Sequence, residues 1–232
     1  MIDYKNRSLK KEILDQSNIP AEDIFLNMKE LEFINAHLGG HSVTIGGFKK
    51  LLRSKKIISV CEIGCGGGDN LNALGNYCLK NQIICSFTGI DINKDCIVFA
   101  KENSKTENIN FVISDYRNVD FKNKKPDIIF SSLFCHHFSN NELVEMLYWM
   151  KKNSTVGFLI NDLHRHPIAY HSIKIATKLF SKSYLVKSNA PLSVLRGFKK
   201  NEWKNIFKEA GIENYSIEWK WAFRFLIIAF NS

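Results

Sequence analysis

The stretch Val60-Cys61-Glu62-Ile63-Gly64-Cys65-Gly66-Gly67-Gly68-Asp69 decides the fold. A hydrophobic strand over Ile57–Ile63 runs into a glycine loop, and a helix is expected over 69–80. Gly64 and Gly66 let the backbone approach a ligand where a Cβ would collide. Downstream the rhythm repeats. Strands are expected at Ile84–Ile90 (ending at Asp91), Ile109–Ser114 (ending at Asp115), Asp127–Ser132 and Val156–Asn161. Helices are expected over 94–105, 140–152 and 199–210. Alternating strands and helices imply right-handed crossovers and a mostly parallel sheet. Tyr215 to Phe230 reads as a hairpin turning near Lys220. Upstream, residues 1–19 are polar and patternless, an arm or a short helix. Pro20 then opens a helix in which Ile24, Met28, Leu31, Ile34 and Leu38 recur at helical spacing, ended by Gly39-Gly40. A second helix is expected over 42–53. Residues 163–197 break the rhythm with a helix over 168–181 and then a Ser/Asn/Pro stretch to Phe198.

Glycines alone would equally suit a dinucleotide. Two carboxylates separate the readings. Glu62, just before the first glycine, would repel a pyrophosphate but suits the ammonium of an amino acid. Asp91, at the end of the second strand and followed by Ile92, can take both hydroxyls of a ribose. An amino acid joined to a nucleoside is S-adenosylmethionine (SAM). Asp115-Tyr116, after the third strand, offers an acceptor for an adenine amino group and a flat ring. All these residues lie at strand C-termini, where open α/β sheets bind ligands. Read singly, Glu62 could cap the following helix and Asp91 could open the next one.

This run resembles the class I SAM-dependent methyltransferases over roughly 55–162 plus the terminal hairpin. The resemblance implies a Rossmann-like seven-stranded sheet, mostly parallel with an antiparallel last strand, and helices on both faces. It also implies an N-terminal helical cap (1–53) and a lid insertion after the fifth strand (163–197), all in a single domain over 1–232. It implies SAM as cofactor and S-adenosylhomocysteine as product. Glu62 would meet the methionine moiety, Asp91 the ribose and Asp115 the adenine, with Gly64, Gly66, Ile92 and Tyr116 as further cofactor contacts, and Ser131-Ser132 would border the methionine and the transfer site.

On the acceptor side, Ser131-Ser132-Leu133-Phe134-Cys135-His136-His137-Phe138 follows the fourth strand. An imidazole there could take the proton of an attacking hydroxyl, with His136 and His137 equal candidates. After the fifth strand, Asp162 could orient a histidine. His164 and Arg165 lie where a substrate would sit, and Arg165 could hold an anionic or carbonyl oxygen. A narrower resemblance joins Leu38-Gly39-Gly40-His41, Ser131–His137, Asn161–Arg165 and Pro191–Phe198, which includes Arg196. These segments look similar to a methyltransferase subgroup found beside type III polyketide synthases and aryl-lipid pathways in bacteria. It implies a small hydrophobic acceptor, phenolic or polyketide-like. O-methylation is favoured over C-methylation. The side chains between Ile168 and Leu185 could line an apolar pocket or form ordinary helix core.

The chain of 232 residues carries a net charge of +9, with its lysines in scattered pairs. Pairs at helix ends and turns argue for a solvated surface and against nucleic acid as a partner. An RNA or protein methyltransferase is the first alternative, and a non-catalytic SAM-binding protein the second. The Asn/Asp-Pro-Pro-aromatic signature for planar nitrogens is replaced here by Ser131-Ser132-Leu133-Phe134. No apolar run reaches membrane-span length, and the six cysteines fit no zinc spacing. The expectation is a cytoplasmic enzyme without a metal. The apolar faces of the first two helices could cover the site or a second copy.

Overall fold

The computed structural model describes residues 2–16, 18–107, 109–122 and 124–231. Seven strands form one sheet: β1 (Ile57–Ile63), β2 (Ile84–Asp91), β3 (Ile109–Ile113), β4 (Ile128–Ser132), β5 (Gly157–Leu163), β6 (Tyr215–Lys220) and β7 (Arg224–Phe230). Their order is β3-β2-β1-β4-β5-β7-β6. The first five are parallel, and β7 runs antiparallel to both β5 and β6. Among the described residues the α-helices are α1 (Ala21–His37), α2 (Gly40–Leu52), α3 (Asp69–Lys80), α4 (Lys94–Asn103), α5 (Asn140–Asn153), α6 (Pro167–Phe180), α7 (Tyr184–Arg196) and α8 (Lys200–Glu209).

Side-chain alternation along the strands builds two cores. Val60, Leu159, Leu226 and Ile228 point to one face, against Phe48 and Leu51 of α2 and Leu71 and Leu74 of α3. Their neighbours Cys61, Phe158, Ile160 and Ile227 point to the other, against Leu143 and Met146 of α5 and Trp203 and Phe207 of α8. Because both faces are covered, the central strands read as continuous apolar runs. Ser139 and Glu142 cap α5 reciprocally.

Two expectations need correction. Gly39-Gly40 does not simply end a helix: α1 stops at His37, Gly39 takes a left-handed φ of 77°, and Gly40 already begins α2. The Ser/Asn/Pro stretch after α6 is not irregular. It is α7, capped by Ser183, with Leu185, Val186 and Val194 buried. Packing of these residues outweighs the cost of Pro191 inside the helix.

Candidate active site

The C-terminal ends of β1, β2, β3 and β4 open into a cavity of about 860 Å³, roofed by α1 and by residues of the N-terminal arm. Its floor is the glycine loop. Cys65 N–H donates to Ile90 O (3.1 Å), Gly68 N–H to Cys65 O (2.8 Å) and Gly66 N–H to Asp91 Oδ2 (2.8 Å). Asn93 N–H donates to the other Asp91 oxygen (2.8 Å). Asp91 therefore holds the loop and the start of α4 together, at the edge of the cavity. A Cβ on Gly64, whose φ is +65°, would lie 2.2 Å from the Phe134 ring, so only glycine fits there.

Glu62 stands in the cavity wall, 1% exposed, and its Oε2 has no hydrogen-bond partner among the described residues. Burial, then the nearby Asp69 and Asp91, pushes its carboxyl well above the usual range. An orphaned buried carboxylate is costly unless a cation meets it. The ammonium of an amino-acid moiety is such a cation, so this residue fits the expected cofactor. Asp69 accepts from Asn35 Nδ2 (2.9 Å) and pairs with His41 Nε2 (2.7 Å). Asp115, held by Arg117, and Tyr116 close the far wall with Ile92. Gly64 and Gly66 line the cavity too. Ser131 does not. Its hydroxyl lies behind the wall, 3.3 Å from Cys135 Sγ, and Ser132 is the residue that faces in. Strand alternation makes this exchange, because the two serines point to opposite faces of β4.

The two histidines separate. His136 is buried and does not line the cavity. Its Nδ1 is 2.8 Å from Asp162 Oδ1 and its Nε2 is 3.4 Å from Glu12 Oε1. Burial alone would depress its pKa, but Asp162 and then Glu12 raise it to about 9. His137 does line the cavity, with Nδ1 2.9 Å from Asp15 Oδ1. Glu12 and Asp15 belong to the arm read from sequence as patternless. They are locked to each other by a reciprocal cap, and Glu12 also accepts from Ser193 Oγ of α7 (2.6 Å). Glu12, His136 and His137 bring one potential ligand atom each within 4.8 Å of the others. Two guanidinium groups oppose further positive charge there: Arg7 Nη2 (3.3 Å) and Arg196 Nε (3.0 Å) both donate to His136 O.

The other residues expected to touch an acceptor stand elsewhere. Arg165 is 1% exposed. It donates to the backbone carbonyls of Tyr4, Lys5 and Gly197 and pairs with Glu202, clasping the arm to the α7–α8 turn. Arg196 donates to Lys10 O and His136 O. His164 packs against Phe225 and accepts from Trp219 Nε1, and burial takes its pKa down to about 4. None of the three lines the cavity. Asp162 reaches the site only through His136. Sequence reasoning missed Glu12, Asp15 and Arg7, which lie in a segment without periodicity. It also missed Asp69, which stood in plain view after the glycines.

A family model for a methyltransferase domain matches residues 54–211, and the chain belongs to that family. With its glycine loop, orphaned Glu62 and cavity, it is a SAM-dependent methyltransferase. No curated protein sequence matches it. Solved structures share its fold at low identity. The plantazolicin methyltransferase BpumL, solved with S-adenosylhomocysteine, is 16% identical with a TM-score of 0.66, covering 90% of this chain and 95% of that one. A SAM-dependent methyltransferase from Aquifex aeolicus is 16% identical at 0.63, covering 93% and 100%. A Nostoc punctiforme protein with a provisional O-methyltransferase name is 13% identical at 0.60. The match covers 89% of this chain but only 60% of that longer one.

Proposed function

We propose that this enzyme methylates a hydroxyl of a small hydrophobic acceptor, phenolic or polyketide-like, with His137 as general base. The observation that carries this reading is the position of His137. It stands in the wall of the same cavity as Glu62 and Asp91, with Nδ1 engaged by Asp15. If Nδ1–H donates to that carboxylate, Nε2 is left as a proton acceptor. His136, the other candidate, has a carboxylate at each ring nitrogen and is charged at neutral pH. It serves as a positioning residue, a fixed cation between Asp162 and Glu12 that holds the arm down.

Glu62 would take the ammonium of the cofactor, Gly64 and Gly66 would admit its methionine moiety, and Asp91 and Asp115 would meet its hydroxyl and amino groups. When bound, SAM supplies an electrophilic methyl on a sulfonium. His137 would remove the proton of an acceptor hydroxyl as it takes that methyl and would then lose the proton to water, with S-adenosylhomocysteine as the other product. Most of the acceleration comes from alignment inside the roofed cavity, and the base adds roughly 10²–10⁴-fold. A base in the cavity wall serves a hydroxyl acceptor, which favours O- over C-methylation.

Calorimetric titration tests the cofactor half. S-adenosylhomocysteine should bind wild type, NADH should not, and Asp91→Ala should bind poorly. Absence of S-adenosylhomocysteine binding would overturn the assignment of these residues. A panel of phenolic and polyketide-like acceptors, scored by mass gain of one methyl group, then tests the acceptor half.

A further inference from the structure

The helix α6 is apolar on the side that faces solvent. Its inner side buries Ala169, Tyr170 and Thr177. Its outer side carries Ile168 (59% exposed), Ile175 (60%) and Leu179 (68%). Spacings of seven and four residues put these three in one line along the helix. Phe180, 83% exposed, is the last residue of α6 and stands about 100° around the helix from Leu179. Phe33 of α1 is also exposed, one turn beyond Glu30, whose carboxylate accepts from Ser181, Lys182 and Ser183. A surface helix ordinarily turns such a stripe inward. Of the side chains expected to line a pocket or form core, Ala169, Tyr170 and Leu185 are core, whereas Ile168, Ile175 and Leu179 face outward.

The charge around this stripe has one sign. From residue 163 to residue 201 the sequence contains no Asp or Glu, against six lysines and two arginines. Arg165 and Arg196 are buried among backbone carbonyls. Lys174, Lys178, Lys182 and Lys187, on and beside α6, are exposed, and none has a salt-bridge partner among the described residues. The acids in contact with this region, Glu30 and Asp23, are engaged by the α6–α7 turn and by the Tyr184 hydroxyl. An outward aliphatic line, with an exposed aromatic ring at the helix end and lysines that form no ion pair among the described residues, has the chemistry of a helix that lies in the headgroup region of an anionic bilayer.

We propose that the exposed face of α6 docks this enzyme on anionic phospholipid membrane. Ile168, Ile175, Leu179 and Phe180 enter the acyl boundary while Lys174, Lys178 and Lys182 meet the lipid phosphates. Through α7, whose Ser193 holds Glu12, this helix is joined to the roof over the histidines. The acceptor then partitions into the bilayer and enters beneath α6–α7. That last step rests on the proposed hydrophobic acceptor. The docking does not.

Vesicle flotation of the full chain tests it. Wild type should float with phosphatidylglycerol-containing vesicles, weakly with pure phosphatidylcholine, and less at high salt. Ile175→Asp/Leu179→Asp should cut binding at least roughly tenfold. A triple Lys174→Gln/Lys178→Gln/Lys182→Gln variant should do so on anionic vesicles only. Both variants should bind S-adenosylhomocysteine as wild type does, because the changed residues are exposed and none of them lines the cavity. That control separates failure of docking from failure of the methyltransferase site. No flotation with anionic vesicles would overturn the proposal, as would flotation that neither variant reduces. So would sedimentation showing that this face instead joins two copies, with Ile175→Asp/Leu179→Asp converting a dimer to a monomer.

Discussion

The two halves of the active site are built by opposite strategies. Around Glu62, Asp91 and the glycine loop, the partners lie within 25 residues of one another: Gly66 with Asp91, Asp91 with Asn93, Cys65 with Ile90. Around the histidines the partners are remote: Glu12 with His136, Asp15 with His137, Arg7 with Asn140 and the 136–138 carbonyls. The first half is a rigid consequence of strand ends in register. The second half exists only while the arm is down. A cofactor common to a family can be held by local geometry, whereas an acceptor particular to one enzyme is enclosed by what the chain adds.

The comparison can be broken at four points, in falling order of effect. His137→Ala should lower kcat by about 10²–10⁴-fold with S-adenosylhomocysteine affinity intact. A parallel loss of affinity would mean that the two halves are not separable. Next, the His136 cluster should make stability depend on pH. A folded-state pKa near 9 against 6.5 unfolded means stabilisation fully present below pH 6.5 and lost as pH rises through 9. The amplitude is about 3 kcal/mol as an order of magnitude, and thermal melts of His136→Gln should be flat across that window. Third, Asp91→Ala removes charge-assisted bonds and should weaken S-adenosylhomocysteine binding about 10–100-fold. Last and smallest, Glu62→Gln should stabilise the ligand-free protein by about 1 kcal/mol at neutral pH while weakening cofactor binding. Its buried carboxyl has a raised folded pKa, so its penalty accumulates as pH climbs above the unfolded value near 4.5. The gain in melting temperature should therefore vanish towards that acid limit. A constant gain would assign the effect to packing.

Legibility in the sequence follows the same divide. The sheet, its antiparallel end and the residues at the cavity floor were readable because their signal is contiguous: an apolar run, a glycine loop, a carboxylate at a strand end. The helix α7 was not, because Ser183, Ser188, Asn189 and Pro191 spell a turn until Leu185, Val186 and Val194 find a core. Arg165 looked like an acceptor ligand because it stands in a polar cluster after a strand, and Arg196 because it lies in a segment that resembles the subgroup. Their long side chains instead reach back to carbonyls of the arm. Glu12 and Asp15 were invisible because a segment held by side-chain bonds to distant residues needs no periodicity of its own. The outward stripe of α6 was read as inward for the converse reason: periodicity reports that one face differs, not which face meets water.

Phe134 fills the space that a side chain on residue 64 would need. The consequence is evolutionary. Any descendant that replaces Gly64 must first exchange Phe134 for something smaller, and that residue stands at the N-terminal cap of the short turn bearing both histidines. Positions 64 and 134 should therefore drift as a pair. The freedom of this lineage to change its acceptor is tethered, through one ring, to the site it cannot afford to change.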